Sequence, residues 1–113
     1  MHELSITESI LGIVLNHAAG ARVTDVHLVI GELSAYVDDS IQLFWDELSR
    51  GTVAESATLH FKREPGTLFC LDCQKPFSVR QQDFLCPLCG SAHAMPHGGR
   101  ECYVESIEVS TPE

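Results

Sequence analysis

Apolar and polar positions repeat with two different periods along this chain, and each period predicts one kind of element. From about Ser5 to Ala19, apolar residues recur every three to four positions, the spacing of an amphipathic helix. Ser5 and Glu8 match the S-x-x-E pattern of a capping box, so we predict that the helix begins at Ser5. Gly20 suits a left-handed end to this helix. The apolar stripe consists of Ile6, Ile10, Ile13 and Val14.

A second helix is predicted between Asp38 and Arg50. Asp38 and Asp39 are candidate N-caps, and Gly51 follows the helix as a stop. Four apolar residues at positions i, i+3, i+4 and i+7 form a stripe that faces a core. They are Ile41, Phe44, Trp45 and Leu48. Because Trp45 lies within the stripe, we interpret it as a core residue and not as a binding platform.

Apolar residues alternate with polar ones in three further segments, 23–33, 57–62 and 102–109, and this period of two predicts strands. Gly31 is expected to end or bend the first strand, and Glu64-Pro65-Gly66 marks a turn that leaves the sheet. The predicted fold is therefore α+β, with two helices packed on a small three-stranded sheet and an inserted zinc-ribbon module.

Two domains follow from this order of elements. Residues 1–64 together with 100–113 are predicted to form the α+β domain, and residues 65–99 the inserted ribbon. The ribbon segment has little helical periodicity and contains two Cys-x-x-Cys pairs. A chain of 113 residues has a modest apolar core, so a metal that holds one segment together fits its size.

The two pairs, Cys70/Cys73 and Cys86/Cys89, carry the most specific chemistry in the sequence. Each Cys-x-x-Cys turn can direct two sulfurs at one point, and two turns supply the tetrahedral shell that Zn²⁺ prefers. Four thiolates leave no position for water or substrate, so the predicted zinc site is structural. In the second turn, Gly90 permits the positive φ that aims backbone amides at the sulfurs.

Other uses of these cysteines stay open at the level of sequence. Two disulfides or a dithiol redox motif would use the same residues, although a reducing compartment favours metal. Iron in the same four-sulfur cage, as in a rubredoxin-like electron carrier, is not separated from zinc by spacing alone. Cys102 has no second cysteine at ligand spacing and lies in a strand pattern, so we interpret it as a buried inert thiol.

The charge balance narrows the class of partner. Sixteen acidic residues against seven basic ones give a formal net charge of -9. Such a field repels phosphate backbones, and the basic residues are scattered, so we expect no nucleic-acid binding. No run of apolar residues reaches the length of a membrane span, and no secretory signal is visible, so we expect a cytoplasmic protein that does not bind membranes.

The opening residues Met1, His2 and Glu3 offer a second kind of metal site. The Met1 amine, the His2 backbone nitrogen and the His2 Nδ1 atom can form fused chelate rings around one ion. Nitrogen donors held in a plane select Ni(II) or Cu(II) over tetrahedral Zn(II). Several residues are candidates for a fourth donor: Glu3, Asp38, Asp39, His93 and His97. For the last two, exposed loop histidines without a ligand are the simpler interpretation.

Several motifs together resemble the HypA/HybF family of nickel metallochaperones. The opening Met1-His2-Glu3-Leu4-Ser5, the segment Ile30-Gly31-Glu32-Leu33-Ser34, the cysteine pairs with Cys86-Pro87-Leu88-Cys89-Gly90-Ser91, and the closing Ser106-Ile107-Glu108-Val109 carry this resemblance. It covers essentially the whole chain.

The resemblance implies a nickel carrier and not an enzyme. It implies a nickel site at Met1, His2 and Glu3 and a structural zinc site at Cys70, Cys73, Cys86 and Cys89. The implied partners are a nickel-handling GTPase and the hydrogenase large subunit precursor, with urease maturation proteins and a homodimer left open. Two other functions remain: a zinc-ribbon adaptor for proteins or nucleic acids, and an enzyme that uses Glu3 beside an N-terminal metal.

Overall fold

The computed structural model describes residues 2–79 and 85–110, with only the backbone of His2. This part of the chain contains two helices and six strands. They are α1 (His2–Ala18), β1 (Arg22–Gly31), α2 (Asp38–Leu48), β2 (Thr58–Glu64), β3 (Thr67–Cys70), β4 (Pro76–Ser78), β5 (Ala94–Gly98) and β6 (Cys102–Ser110). Neither helix in the described residues has the length and apolar character needed to cross a membrane.

The backbone divides into two compact units. The first comprises the described residues of Met1–Val29, Ala35–Lys62 and Cys102–Glu113, and the second comprises Ile30–Ser34 and Arg63–Glu101. The short segment Ile30–Ser34 thus belongs with the cysteine-containing unit, although its first two residues are the last two of β1.

A three-stranded sheet with the order β2-β1-β6 carries the first unit. The Thr24 hydroxyl donates to the Glu108 carbonyl, and the Gly31 amide to the Glu101 carbonyl, so β1 and β6 are antiparallel. β1 and β2 run parallel. His27 stacks on His60, and further along in the same direction on both segments the Glu32 amide donates to the Glu64 carbonyl. Parallel strands require a crossover, and α2 supplies it.

The core of the first unit lies where α1 packs against α2 and against β6. Val26 and Leu28 of β1 are buried on either side of half-buried His27, as the period of two predicts, but Val29, predicted on the polar face, is buried as well. Trp45 is 1% exposed, which confirms its interpretation as a core residue. The α+β fold with two helices on a small three-stranded sheet is therefore confirmed.

α1 starts earlier than predicted, and the predicted N-caps of both helices are wrong. α1 begins at His2, so Ser5 lies inside the helix and caps nothing. Glu3 is in the first turn, where the helix dipole favours a carboxylate, and this extends the helix beyond the capping-box pattern. The N-cap of α2 is Val37, without a side-chain hydrogen bond, and Asp38 and Asp39 occupy the first turn instead. The carboxylates there also face the positive end of the dipole.

The second unit has its own sheet, in the order β4-β3-β5, with antiparallel pairs on both sides of β3. Leu68 of β3 lies opposite Phe77 of β4, and these two side chains form a small core with the sulfurs of Cys70 and Cys86. Leu33 packs against this core from the segment Ile30–Ser34. Among the residues that the structure describes, the buried members of this core besides the cysteines are Leu68 and Phe77.

Glycines allow the segment Ile30–Ser34 to approach the turn after β5 closely. A Cβ atom on Gly31 would lie 2.1 Å from the Gly99 carbonyl oxygen, and one on Gly99 would lie 2.5 Å from the Pro65 oxygen. The Leu33 amide donates to the Gly99 carbonyl at 2.7 Å, and the Gly66 amide donates to the Glu32 carboxylate at 2.8 Å. The motif Ile30-Gly31-Glu32-Leu33-Ser34 is thus a structural part of the second unit.

Candidate metal centre

The four cysteines predicted as ligands converge on one point. Their sulfur atoms all lie within 4.8 Å of one another, and this is the one such cluster of His, Cys, Asp or Glu among the described residues. Cys70 Sγ lies 3.6 Å from Cys89 Sγ, and Cys73 Sγ lies 3.6 Å from Cys86 Sγ. Zinc–sulfur bonds of about 2.3 Å in a tetrahedron place neighbouring sulfurs about 3.8 Å apart. The donor set therefore has the composition and close spacing of a tetrahedral four-sulfur site.

The two turns that carry the sulfurs share one hydrogen-bond pattern. In the first, the Cys70 amide donates to the Lys75 carbonyl and the Gln74 amide donates to the Cys70 carbonyl. In the second, the Cys86 amide donates to the Ser91 carbonyl and the Gly90 amide to the Cys86 carbonyl. Gly90 has a φ of 75°, as the sequence predicts. Two equivalent knuckles thus present sulfurs to each other.

Electrostatics within the cluster favour a bound cation. The Cys73 amide donates to Cys70 Sγ at 3.5 Å and lowers the pKa of the Cys70 thiol to about 7, against the effect of burial. Burial raises the pKa of the Cys73 thiol to about 12, and the nearby sulfurs add to that rise. Four thiols this close do not all lose their protons readily, because the thiolates repel one another. A divalent ion between them stabilises all four thiolates.

Polar side chains around the sulfurs connect the two knuckles, and sequence analysis missed this arrangement. The Ser91 hydroxyl donates to the Asp72 carboxylate, while the His93 amide donates to Ser91 Oγ at 2.9 Å. The bond from Ser91, opposed by burial and aided by nearby His93, lowers the pKa of Asp72. His93 Nδ1 lies 3.3 Å from Asp72 Oδ2. His93, a candidate nickel donor from the sequence, therefore contacts an acidic residue of the first knuckle.

The N-terminal candidates are described less fully. Met1 and the side chain of His2 lie outside the described residues, and Glu3 is half-buried in the first turn of α1. Asp38 is half-buried and Asp39 exposed, both in the first turn of α2 and in the same unit as Glu3. His93 and His97 belong to the second unit and are exposed. Cys102 is half-buried and lies outside the sulfur cluster.

Taken together, the fold and the sulfur cluster define a small α+β metal-binding protein. Residues 1–109 match the family described as "Hydrogenase/urease nickel incorporation, metallochaperone, hypA". The chain therefore belongs to the HypA family, whose members are metallochaperones and maturation factors and not enzymes. The resemblance noted in the sequence is confirmed.

Individual relatives match this chain over almost its full length. The chain is 40% identical over 112 residues to the hydrogenase maturation factor HypA of Dehalococcoides mccartyi, covering 96% of this chain and 94% of that protein. It is 40% identical over 109 residues to HypA of Geobacter metallireducens, covering 96% and 99%. Among solved structures, the solution structure of the Ni metallochaperone HypA from Helicobacter pylori superimposes with a TM-score of 0.72 at 26% identity, covering 95% of this chain and 96% of that one.

Proposed function

We propose that this protein binds Ni(II) at its N-terminus and delivers it during maturation of nickel-iron hydrogenase. The observation that carries this proposal is the family match across residues 1–109, which includes both the opening residues and the cysteine cluster. The Helicobacter pylori relative, named a Ni metallochaperone, supports nickel as the cargo. In this proposal the α+β domain, residues 1–64 with 100–113, binds nickel, and the ribbon, residues 65–99, binds zinc.

In this proposal the sulfur cluster holds a resident Zn²⁺ ion. Cys70, Cys73, Cys86 and Cys89 would be its ligands, and a closed four-thiolate shell supplies structural stability and no reaction. The small core of Leu68 and Phe77 supports this role, because so few buried apolar side chains give the second unit little stability of their own.

Nickel is the cargo, and its proposed donors are the Met1 amine, the backbone and imidazole nitrogens of His2, and Glu3. The start of α1 at His2 supports this arrangement. The first four amides of a helix have no partner within the helix, so nickel can use the His2 nitrogen without breaking a helical hydrogen bond. Glu3 in the same turn brings a carboxylate close to those nitrogens. Nitrogen donors of this kind suit Ni(II).

Such a site would release nickel on mild acidification. Protons compete with the metal for the imidazole, whose reference pKa is about 6.5, and for the backbone nitrogens. Zinc in a cage of four thiolates would be lost at lower pH. The nickel ion is then held firmly enough to be carried and loosely enough to be transferred to a partner with better donors.

A nickel titration by calorimetry on untagged, zinc-loaded protein tests the proposal. His2→Gln is expected to abolish binding at the N-terminal site and leave the zinc content and circular dichroism unchanged. Glutamine is large, so the processing that removes Met1 before small residues is not triggered. His93→Gln is the matched control, because it removes an exposed histidine outside the proposed site. Unchanged nickel binding in His2→Gln would refute this site.

The proposed partners follow from the hydrogenase maturation role. They are a nickel-handling GTPase and the hydrogenase large subunit precursor in the cytoplasm, with urease maturation as a further use. The family description names both hydrogenase and urease. Co-purification of the nickel-loaded protein with the hydrogenase precursor, compared with His2→Gln, tests the delivery step.

A further inference from the structure

The last strand of the first unit, β6, is an edge strand. It lies at one end of the sheet in the order β2-β1-β6, and with 9 residues it is longer than most strands. No strand within residues 2–79 and 85–110 pairs with its outer edge. Proteins usually protect such an edge with lysine, proline or a covering segment, because its backbone amides and carbonyls bind other chains. β6 contains neither lysine nor proline.

The two carboxylates of β6 do not protect the edge either. Glu105 Oε2 lies 3.8 Å from Lys62 Nζ of β2, and Glu108 Oε2 lies 2.7 Å from His27 Nε2 of β1. Both partners belong to strands on the inner side of β6, so both carboxylates lean across the sheet and away from the outer edge. The backbone of that edge is therefore accessible to an extended segment.

An apolar groove lies beside this edge, between α1 and β6. It has a volume of about 240 Å³ and is lined by Ile13 and Val14 of α1 and by Val104 and Ile107 of β6. The other lining residues are His17, Glu105 and Ser106. This volume is below the roughly 300–1,000 Å³ of most small-molecule sites, so the groove suits a few side chains better than a cofactor. A strand added at an edge beside a helix can direct alternate side chains into such a groove.

We propose that β6 and this groove bind an extended, basic segment of a partner protein, which adds to the sheet as a fourth strand. The backbone of the segment would form hydrogen bonds with the outer edge of β6. Its apolar side chains, at every second position, would enter the groove beside Ile13. In this mode the backbone bonds supply affinity and the groove supplies specificity. The docking surface goes beyond the proposed nickel function and does not depend on where nickel binds.

Charge identifies the kind of segment that fits. The stretches of sequence that form the first unit contain 11 acidic residues and 3 basic ones, Arg22, Arg50 and Lys62. The side chains of Glu105 and Glu108 are 48% and 61% exposed, so lysine or arginine on an added strand would find carboxylates nearby. A second copy of β6 would bring two more carboxylates beside them. Like charges on neighbouring strands are destabilising, so a basic segment is favoured over a second copy of this chain.

A peptide titration tests the proposal. The probe is a synthetic peptide of strand length with blocked ends, in which lysine and valine alternate. The comparison peptide has the same composition, with its valines in one block. In zinc-loaded, nickel-free protein, calorimetry should show that the alternating peptide binds about tenfold more tightly or better, because only it can pair with β6 and place several valines in the groove. Equal affinity for the two peptides would show attraction by charge alone and would overturn the proposal.

A matched pair of variants tests the groove. Ile13→Arg fills it with a positive charge and should weaken binding of the alternating peptide about tenfold or more. Leu43→Arg places the same charge on α2 and should bind as the wild type does. Ile13 is 46% exposed and Leu43 is 66% exposed, so both variants should fold, which circular dichroism checks. Equal weakening in both variants would reject the groove as the binding site.

Two further measurements locate the segment and identify the occupant. Hydrogen exchange with the alternating peptide bound should show new protection in β6 and none in β2, the opposite edge of the sheet. Protection gained at β2 instead, or spread over the acidic surface, would contradict the proposal. Sedimentation of the protein alone should show a monomer. A dimer that Ile13→Arg dissociates would assign the edge to a second copy of the chain and reject the basic segment.

Discussion

Gln74 and Gly90 occupy the same position in the two knuckles of the metal centre, and both have a left-handed backbone. The φ angle is 60° at Gln74 and 75° at Gly90. Each amide donates at 2.8 Å to the carbonyl of its own cysteine, Cys70 or Cys86. A residue with a Cβ atom pays roughly 1–2 kcal/mol for this conformation, and glycine does not. The first knuckle therefore carries strain that the second lacks.

This asymmetry predicts opposite effects for two substitutions. Gln74→Gly should raise the free energy of unfolding of the zinc-loaded protein, by up to about 1 kcal/mol after the entropy of the more flexible unfolded chain is subtracted. Gly90→Gln should lower it by about 1–2 kcal/mol. Urea unfolding monitored by zinc release measures both. The control is the double variant Gln74→Gly/Gly90→Gln, whose free energy of unfolding should be close to that of the wild type. A loss of stability in Gln74→Gly would contradict the assignment of strain.

Gly31→Ala should be among the most damaging glycine substitutions in the chain. The added Cβ would lie 2.1 Å from the Gly99 carbonyl oxygen and 2.8 Å from the Arg100 nitrogen. Because these are backbone atoms, the strands must shift, at a cost of about 3 kcal/mol or more.

Gly51→Ala provides the comparison. A Cβ on Gly51 meets nothing within 4 Å, but φ is +77°. Its cost should be the left-handed penalty alone, about 1 kcal/mol. Thermal unfolding measures the loss of stability in each variant. Equal losses in Gly31→Ala and Gly51→Ala would show that the backbone around Gly31 shifts at little cost.

Glu32 is predicted to stabilise the second unit through one hydrogen bond. Its carboxylate accepts from the amide of buried Gly66 at 2.8 Å. Glu32→Ala leaves that amide without its acceptor and should cost about 1–3 kcal/mol. Glu32→Gln keeps an acceptor oxygen and should cost less. Hydrogen exchange at the Gly66 amide, compared among the three proteins, reports the bond directly, and equal protection in all of them would contradict this role.

The sequence predicted the first unit well because its elements depend on local patterns. Val26 and Leu28 lie on the predicted buried face of β1, and Trp45 lies within a helical stripe, so these periods report on burial, although Val29 is buried against the pattern. Helix starts were less predictable. Ser5 and Glu8 match a capping box, but the chain is helical from His2 onwards, and a local cap signal cannot exclude helical residues before it.

The metal centre was predicted as far as spacing allows. Four sulfurs with Cys-x-x-Cys spacing have few alternatives to a shared site, and the structure brings them together. The bond between Asp72 and Ser91 depends on how the two knuckles face each other, which no spacing specifies. The pairing of His27 with His60 also needed the order of the strands. Contacts between distant segments are therefore what the sequence left open.

Removal of zinc should unfold the second unit and leave the first folded. Besides its cysteines, the cluster around the metal centre has Leu68 and Phe77 as its buried members among the described residues, while the first unit buries Trp45, Ile41, Val26 and Leu28. Where metal binding supplies most of the folding free energy, a chelator removes the fold. Amide hydrogen exchange after chelation should show protection lost in β3, β4 and β5 and retained in α1 and α2. Cys89→Ser should reproduce this pattern without chelator, whereas Cys102→Ser, outside the sulfur cluster, should keep both zinc and protection. Persistent protection of β3 in zinc-free protein would show that the second unit folds without its metal.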